Sequence, residues 1–172
     1  MIIAISGPRS AGKSSLAYKV CLALKKRDVD CGGLLTLFRD KKYFYRVQDK
    51  AMMPFESIEE TIAVHVGRYT ITQSTMQFAE ESIRNAADRD VLFVDEIGIL
   101  ENQRKGLFEA VDDVLPRPDR VTLLVVRQEI KNEVESLFGV YVNRWVIIEP
   151  FEWVSLVDLL VDDVISILHQ DL

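Results

Sequence analysis

The residues best suited to chemistry lie near the start of the chain, where SGPRSAGKSS spans residues 6–15. Residues 7–14 match the pattern GxxxxGK[ST], which is typical of loops that hold the phosphates of a nucleotide. In such a loop the backbone N–H groups point inward, and Gly12 has no side chain to block a phosphate. The helix that follows adds free N–H groups and the positive end of its dipole. The predicted nucleotide-binding residues are Gly7, Pro8, Arg9, Ser10, Ala11, Gly12, Lys13, Ser14 and Ser15.

Three side chains of this loop have separate expected roles. Lys13 is expected to reach the β- and γ-phosphates as a point charge, and the Ser14 hydroxyl is expected to ligate Mg²⁺. Arg9 either adds positive charge near the phosphates or is a solvated loop residue, and we favour the second interpretation because such loops tolerate many residues at that position.

A pair of acids forms the second half of the predicted site. The segment VLFVDEIG is an apolar strand that ends in Asp95 and Glu96, and we expect this strand beside the phosphate loop. Asp95 is predicted to hold Mg²⁺ through a water, and Glu96 to orient and deprotonate the water that attacks the γ-phosphorus. A merely charged strand end is the alternative. Glu101 either supports this site or stabilises the start of the next helix.

Other polar and aromatic residues are weaker candidates. Arg127 follows the strand RVTLLVV, where it could sense the γ-phosphate and stabilise transition-state charge, or could instead be a surface arginine that caps a helix. Phe38, Tyr69 and Phe151 could stack on a nucleobase, but we favour core packing for each of them.

The elements that must position these residues alternate along the chain. The best strands are continuously apolar, which predicts a mostly parallel sheet with helices on both faces and a hairpin over residues 34–47. We expect a single domain, residues 1–172. Helices are predicted over roughly residues 13–26, 73–89, 102–114, 129–138 and 152–169, and strands at residues 2–5, 31–38, 61–66, 90–98, 120–126 and 144–150.

Composition restricts the partners and the compartment. The net charge of −6 argues against broad contact with nucleic acid or with an anionic membrane. Cys21 and Cys31 lack the spacing of a zinc site or a disulfide framework and read as partly buried thiols. No signal peptide or membrane span is recognisable, which makes a cytoplasmic location the expectation.

The two halves of the site together carry a family resemblance. The segment DEIGILE, residues 95–101, is similar to the DEIG-x-M-E motif of the THEP1 family of P-loop nucleoside-triphosphatases. The segments GLLTLFR, residues 33–39, and VGRYTI, residues 66–71, resemble further family segments in the same order. Leu100 replaces the methionine of the family motif, Leu37 and Phe38 replace acids, and VVRQ stands at residues 125–128 in place of a Gly-Thr-Ile-Pro type segment.

The resemblance implies a RecA-like P-loop fold and Mg²⁺-dependent hydrolysis of a nucleoside triphosphate to the diphosphate and phosphate, with broad base tolerance. By motif position it places phosphate binding at residues 7–14, and the metal and water roles at Asp95 and Glu96.

Two further functions remain open from the sequence. A small-molecule or nucleotide kinase would need an acceptor pocket, for which Arg39, Arg46 and Arg68 lie among aromatic residues. A nucleotide-dependent switch would hydrolyse slowly and act through a protein partner, although the sequence has no obvious partner motif. Steady release of phosphate without an acceptor distinguishes a hydrolase from both.

Overall fold

The computed structural model describes residues 1–56, 61–66, 69–117 and 119–170. Within these ranges, nine strands form a seven-stranded sheet of order β4-β3-β2-β7-β8-β1-β9 and a separate two-stranded sheet of β5 and β6. The strands are β1 Ile2–Ser6, β2 Cys31–Phe38, β3 Lys42–Arg46, β4 Met52–Pro54, β5 Ile62–Val66, β6 Tyr69–Thr72, β7 Val91–Ile97, β8 Val121–Val126 and β9 Arg144–Ile147.

The centre of the large sheet is parallel, as the apolar strands predict. Strands β2, β7, β8, β1 and β9 pair side by side in one direction, so their carboxyl ends meet at one edge. Strand β8 is inserted between β1 and β7, so one strand separates the acid-bearing strand from the strand that precedes the phosphate loop. The sequence does not specify this order, since all three strands are equally apolar.

The alternation of side chains along the strands produces two separate cores. Ile2 and Ala4 of β1 pack on one face, whereas Ile3 and Ile5 pack on the other. This alternation follows from the two-residue period of a strand. Because both faces are buried, each strand reads as a continuous apolar run in the sequence.

Helices cover both faces of the sheet. Helices α1 and α6 pack together on one face, whereas α2 and α4 pack together on the other. The helices are α1 Lys13–Lys25, α2 Gln73–Arg84, α3 Ile99–Asn102, α4 Phe108–Val114, α5 Val134–Phe138 and α6 Leu156–Gln170. No helix in the described ranges has the length and apolar character to cross a membrane.

Three helix predictions were too long. The predicted helix over 102–114 is two helices, α3 and α4, because the chain turns at Arg104 and Gly106, which have φ angles of 55° and 61°. Helix α2 ends at Arg84, although the buried Ala86 in the following turn continues its apolar pattern. The predicted helix over 129–138 is a 3₁₀ turn, Gln128–Ile130, followed by α5.

The insertion between β2 and α2 contains more strand than predicted. β3 pairs antiparallel with β2, as the predicted hairpin requires, and β4, which was not among the predicted strands, extends the sheet. β5 pairs with β6 in a second hairpin. Gly67 and Arg68, which belong to the family-like segment of residues 66–71, lie outside the described residues.

Candidate active site

The phosphate-loop segment joins the carboxyl end of β1 to the start of α1. Gly12 has a φ of 98°, and a Cβ atom there would lie 2.3 Å from the Trp153 ring, so both the backbone conformation and the available space require glycine. The N–H groups in the first turn of α1 have no acceptor within the helix. They are therefore oriented to bind an anion at the edge of the sheet where the parallel strands end.

Lys13 lies within this loop rather than in solvent. Its side chain is buried, and Nζ donates hydrogen bonds to the carbonyl oxygens of Gly7 at 3.0 Å and Pro8 at 2.9 Å. Burial lowers the pKa of Lys13, and the charges of Glu96 and Asp95 act in the opposite direction. The ammonium is therefore held by the loop itself, and the negative charge of both carboxylates favours its protonated form.

Asp95 is fully buried at the end of β7, where it connects three elements. Its Oδ1 accepts a hydrogen bond from the Ser14 hydroxyl at 3.1 Å, and its Oδ2 accepts one from the backbone N–H of Thr36 at 3.0 Å. The Thr36 hydroxyl also donates to the backbone carbonyl of Asp95 at 2.9 Å. The contact with Thr36 was missed at the sequence level, although β2 and β7 end at the same edge and could have indicated it.

Burial, followed by the charge of Glu96, raises the pKa of Asp95 to about 7. A native pKa above the unfolded one means that the native state holds the proton more tightly, so the protein loses stability as pH rises from about 4 to about 7. A cation beside Asp95 would favour the ionised form. The Ser14 hydroxyl and the Asp95 carboxylate are both oxygen ligands, which fit Mg²⁺ chemically.

We therefore expect Asp95→Asn to stabilise the nucleotide-free protein at pH 8. Each unit of pKa shift corresponds to about 1.4 kcal/mol, and an increase of about 1 to 3 kcal/mol in the free energy of unfolding is the expected size. Urea unfolding between pH 4 and pH 8 measures it, and the gain should shrink towards pH 4. The exposed Asp112→Asn serves as the control, and a gain that does not vary with pH would contradict this origin.

Glu96 lies beside the buried Asp95 and lines the cavity at this edge of the sheet. The pairing of β7 with β8 is regular up to Asp95 opposite Val125, but Ile97 is the next residue in register, so Glu96 forms a bulge. Successive side chains of a regular strand point to opposite faces, and a bulge changes this alternation. Asp95 accepts a hydrogen bond from Ser14 of the loop, and the charges of Asp95 and Glu96 both act on the pKa of Lys13.

Arg127 and Glu101, two further residues at this edge of the sheet, each make polar contacts. Arg127 lines the cavity and pairs with Glu129 at 3.2 Å, and it is also the N-cap residue of the 3₁₀ turn Gln128–Ile130. The carboxylate of Glu101 accepts the backbone N–H groups of Gly98 at 2.8 Å and Leu107 at 3.0 Å. Glu101 thus stabilises the start of α3, which is the second of its two predicted roles. Arg9 is exposed at the cavity.

The expected core packing is wrong for two of the three aromatic candidates. Phe38 is 73% exposed and Phe151 is 93% exposed, whereas Tyr69 is half-buried against Phe55. Trp153, which the sequence analysis did not single out, is half-buried and lines the cavity next to Gly12.

Both predicted thiols, Cys21 and Cys31, are buried and free.

Comparison with known proteins places this geometry in context. The NTPase family model matches residues 2–146. Nucleoside-triphosphatase THEP1 of Methanocaldococcus jannaschii is 27% identical over 153 residues, which are 82% of this chain and 86% of that protein.

Two solved structures resemble the fold. The solution structure of a human cancer-related nucleoside triphosphatase aligns with a TM-score of 0.72 at 20% identity, over 95% of this chain and 97% of that one. The crystal structure of THEP1 from Aquifex aeolicus aligns with a TM-score of 0.62 at 20% identity, over 98% and 99% of the two chains. The chain therefore has a P-loop NTPase-like α/β fold, and the predicted fold class is confirmed.

Proposed function

Because this chain belongs to the NTPase family and hydrolyses nucleoside triphosphates, we propose that it does so with Mg²⁺, cleaving the bond between the β- and γ-phosphates. The family resemblance seen in the sequence is thereby confirmed. We further propose that ATP, GTP and other nucleoside triphosphates are all substrates. The observation that carries the proposal is the contact of Ser14 with Asp95 beneath the phosphate loop, with Glu96 next to it.

Each residue of the candidate active site has one task in the proposed mechanism. The backbone N–H groups of the loop and the Lys13 ammonium bind the β- and γ-phosphates. Ser14 and Asp95 would hold Mg²⁺, which supplies charge neutralisation at the phosphates when it is bound. Glu96 holds the attacking water and accepts its proton as the water oxygen approaches the γ-phosphorus.

The direct test is phosphate release by the purified protein. Each of ATP, GTP, CTP and UTP is incubated with Mg²⁺ in the absence of any acceptor, and phosphate and diphosphate are measured over time. We expect equal, steady formation of both products and its loss when the metal is chelated. Diphosphate formation that requires an added metabolite, with no free phosphate, would instead indicate a kinase, and binding with negligible turnover would indicate a switch.

Arg127 is proposed to stabilise the negative charge that develops on the transferred phosphoryl group. Its guanidinium lines the cavity, and its charge acts on Lys13. We expect Arg127→Ala to lower kcat about 100-fold with a small change in KM, because the interaction strengthens in the transition state. Steady-state kinetics measure this, with the exposed Arg104→Ala as control. A higher KM at unchanged kcat would show that Arg127 only binds substrate.

The nucleoside is proposed to lie on the opposite side of the loop from the acids. β8 and β7 lie to one side of β1, and β9 lies to the other. Since Asp95, Glu96 and Arg127 are on the β8 and β7 side, the γ-phosphate belongs there. The nucleoside then extends towards the segment after β9, where Trp153 contacts Gly12.

Tryptophan fluorescence tests this orientation, because the chain has only Trp145 and Trp153. In the Trp145→Phe variant all indole emission comes from Trp153. We expect Mg²⁺ and a non-hydrolysable ATP analogue to change that emission by tens of per cent, and inorganic tripolyphosphate to change it much less. An equal response to both ligands would show that the nucleoside does not reach Trp153.

A further inference from the structure

The cavity at the candidate active site continues well beyond the residues assigned above. Its volume is about 1040 Å³, at the top of the range of about 300–1,000 Å³ that is usual for one small-molecule site. Its far side is lined by Lys42, Phe44, Phe55, Tyr69 and Met76, which we call the distal compartment. None of these side chains has a task in the proposed hydrolysis.

Aromatic rings form much of this compartment. The Phe44 and Phe55 rings have centroids 4.7 Å apart at 53°, and the Phe55 and Tyr69 rings lie 5.4 Å apart at 78°. Phe44 and Phe55 are each 4% exposed, so the sheet and the insertion hold them in place. They form the buried base of the compartment, and the half-buried Tyr69 is the ring of this group that remains open to another planar molecule.

Among the residues that the structure describes, one cation lies against these rings. Lys42 Nζ is 4.1 Å from the centroid of Phe55 and 5.3 Å from that of Tyr69. Within the described part of the chain, no carboxylate lies within the 4.0 Å of an ion pair with this ammonium.

The Lys42 side chain lines the same cavity as Ser14 and Glu96. Burial and Glu96 raise the pKa of Asp95, whereas the charge of Lys42 is among the influences that lower it. Arg39 is exposed at the cavity and adds positive charge. Arg46, the other described arginine of the insertion, is instead bound to Ser82 and Asp49.

We propose that the distal compartment is a second ligand site, for a small aromatic molecule that carries an anionic group and has the chemical character of a nucleoside monophosphate. Its ring packs against Tyr69, above the buried Phe55, and its phosphate binds Lys42. The proposal rests on the proposed function in one respect only, which is that the triphosphate lies at the phosphate loop. A molecule in the second compartment would face the γ-phosphate end of the nucleotide.

Calorimetric titration tests the site without any turnover. The protein is saturated with Mg²⁺ and a non-hydrolysable ATP analogue, and AMP, GMP, CMP, UMP and phenyl phosphate are added in turn. We expect at least one of them to bind with one molecule per chain. Lys42→Ala should weaken that binding at least 10-fold, whereas Lys41→Ala, an exposed lysine over the ring of Tyr43, should leave it within twofold.

Three outcomes would overturn the proposal. They are the absence of binding by all five probes, equal binding to the Lys42→Ala protein when circular dichroism shows it folded, and stoichiometric displacement of the ATP analogue. A second titration distinguishes failure of this proposal from failure of the proposed function. In it the monophosphates are added to a Lys13→Ala protein without the ATP analogue. Monophosphate binding that persists in the Lys13→Ala protein and still depends on Lys42 supports the distal compartment as a ligand site, even if the phosphate loop does not hold the triphosphate.

Discussion

Replacement of Lys13 by alanine should abolish turnover and weaken binding of every nucleoside triphosphate. The ammonium is buried and held by the carbonyl oxygens of Gly7 and Pro8, so its charge has a fixed position within the phosphate loop. A charge-assisted contact to phosphate that strengthens as charge moves to the leaving group contributes to both binding and rate. We expect kcat to fall at least 1,000-fold and Kd to rise about 10-fold to 100-fold.

Phosphate release and calorimetry measure the two effects of Lys13→Ala. Lys26→Ala, an exposed lysine immediately after the same helix, is the matched control and should behave like the wild-type protein. Circular dichroism establishes that the variant is folded, since two carbonyl groups lose a donor. A folded Lys13→Ala protein with normal kcat would show that the loop does not hold the reacting phosphates.

The elements of the site were predictable because each depends on local sequence. The phosphate loop needs only residues 7–14 between an apolar strand and a helix, and both are adjacent in the chain. Asp95 and Glu96 were recognisable because the strand before them is apolar and buried on both faces. The predicted strand over residues 31–38, with Gly32 and Gly33 near its start, was also correct.

What the sequence could not predict depends on contacts between distant segments. The order of β1, β8 and β7 is decided by tertiary packing, and with it the distance between the loop and the acids. The bond from Thr36 to Asp95 joins residues 59 positions apart. The distal compartment likewise combines β3, β6 and α2, whose side chains carry no shared sequence pattern.

Replacement of Glu96 by glutamine should separate binding from catalysis. Glutamine has nearly the same shape and can still hydrogen-bond a water, but it cannot accept the proton that the water must lose. General-base catalysis contributes about 10²-fold to 10⁴-fold, and we expect kcat to fall by about that amount. Triphosphate affinity should stay within about threefold, because Lys13 and the loop N–H groups are unchanged.

Single-turnover phosphate release and calorimetry provide the two readouts for Glu96→Gln. The matched control is Glu129→Gln, which changes another carboxylate of the same cavity, one that pairs with Arg127. We expect this control to lower kcat only a few-fold, through the loss of a partner for the guanidinium. A larger loss in Glu129→Gln than in Glu96→Gln would assign the water to the other acid. Full activity in Glu96→Gln would leave the water without a base at the end of β7, because Asp95 is fully buried and already bonded to Ser14 and Thr36.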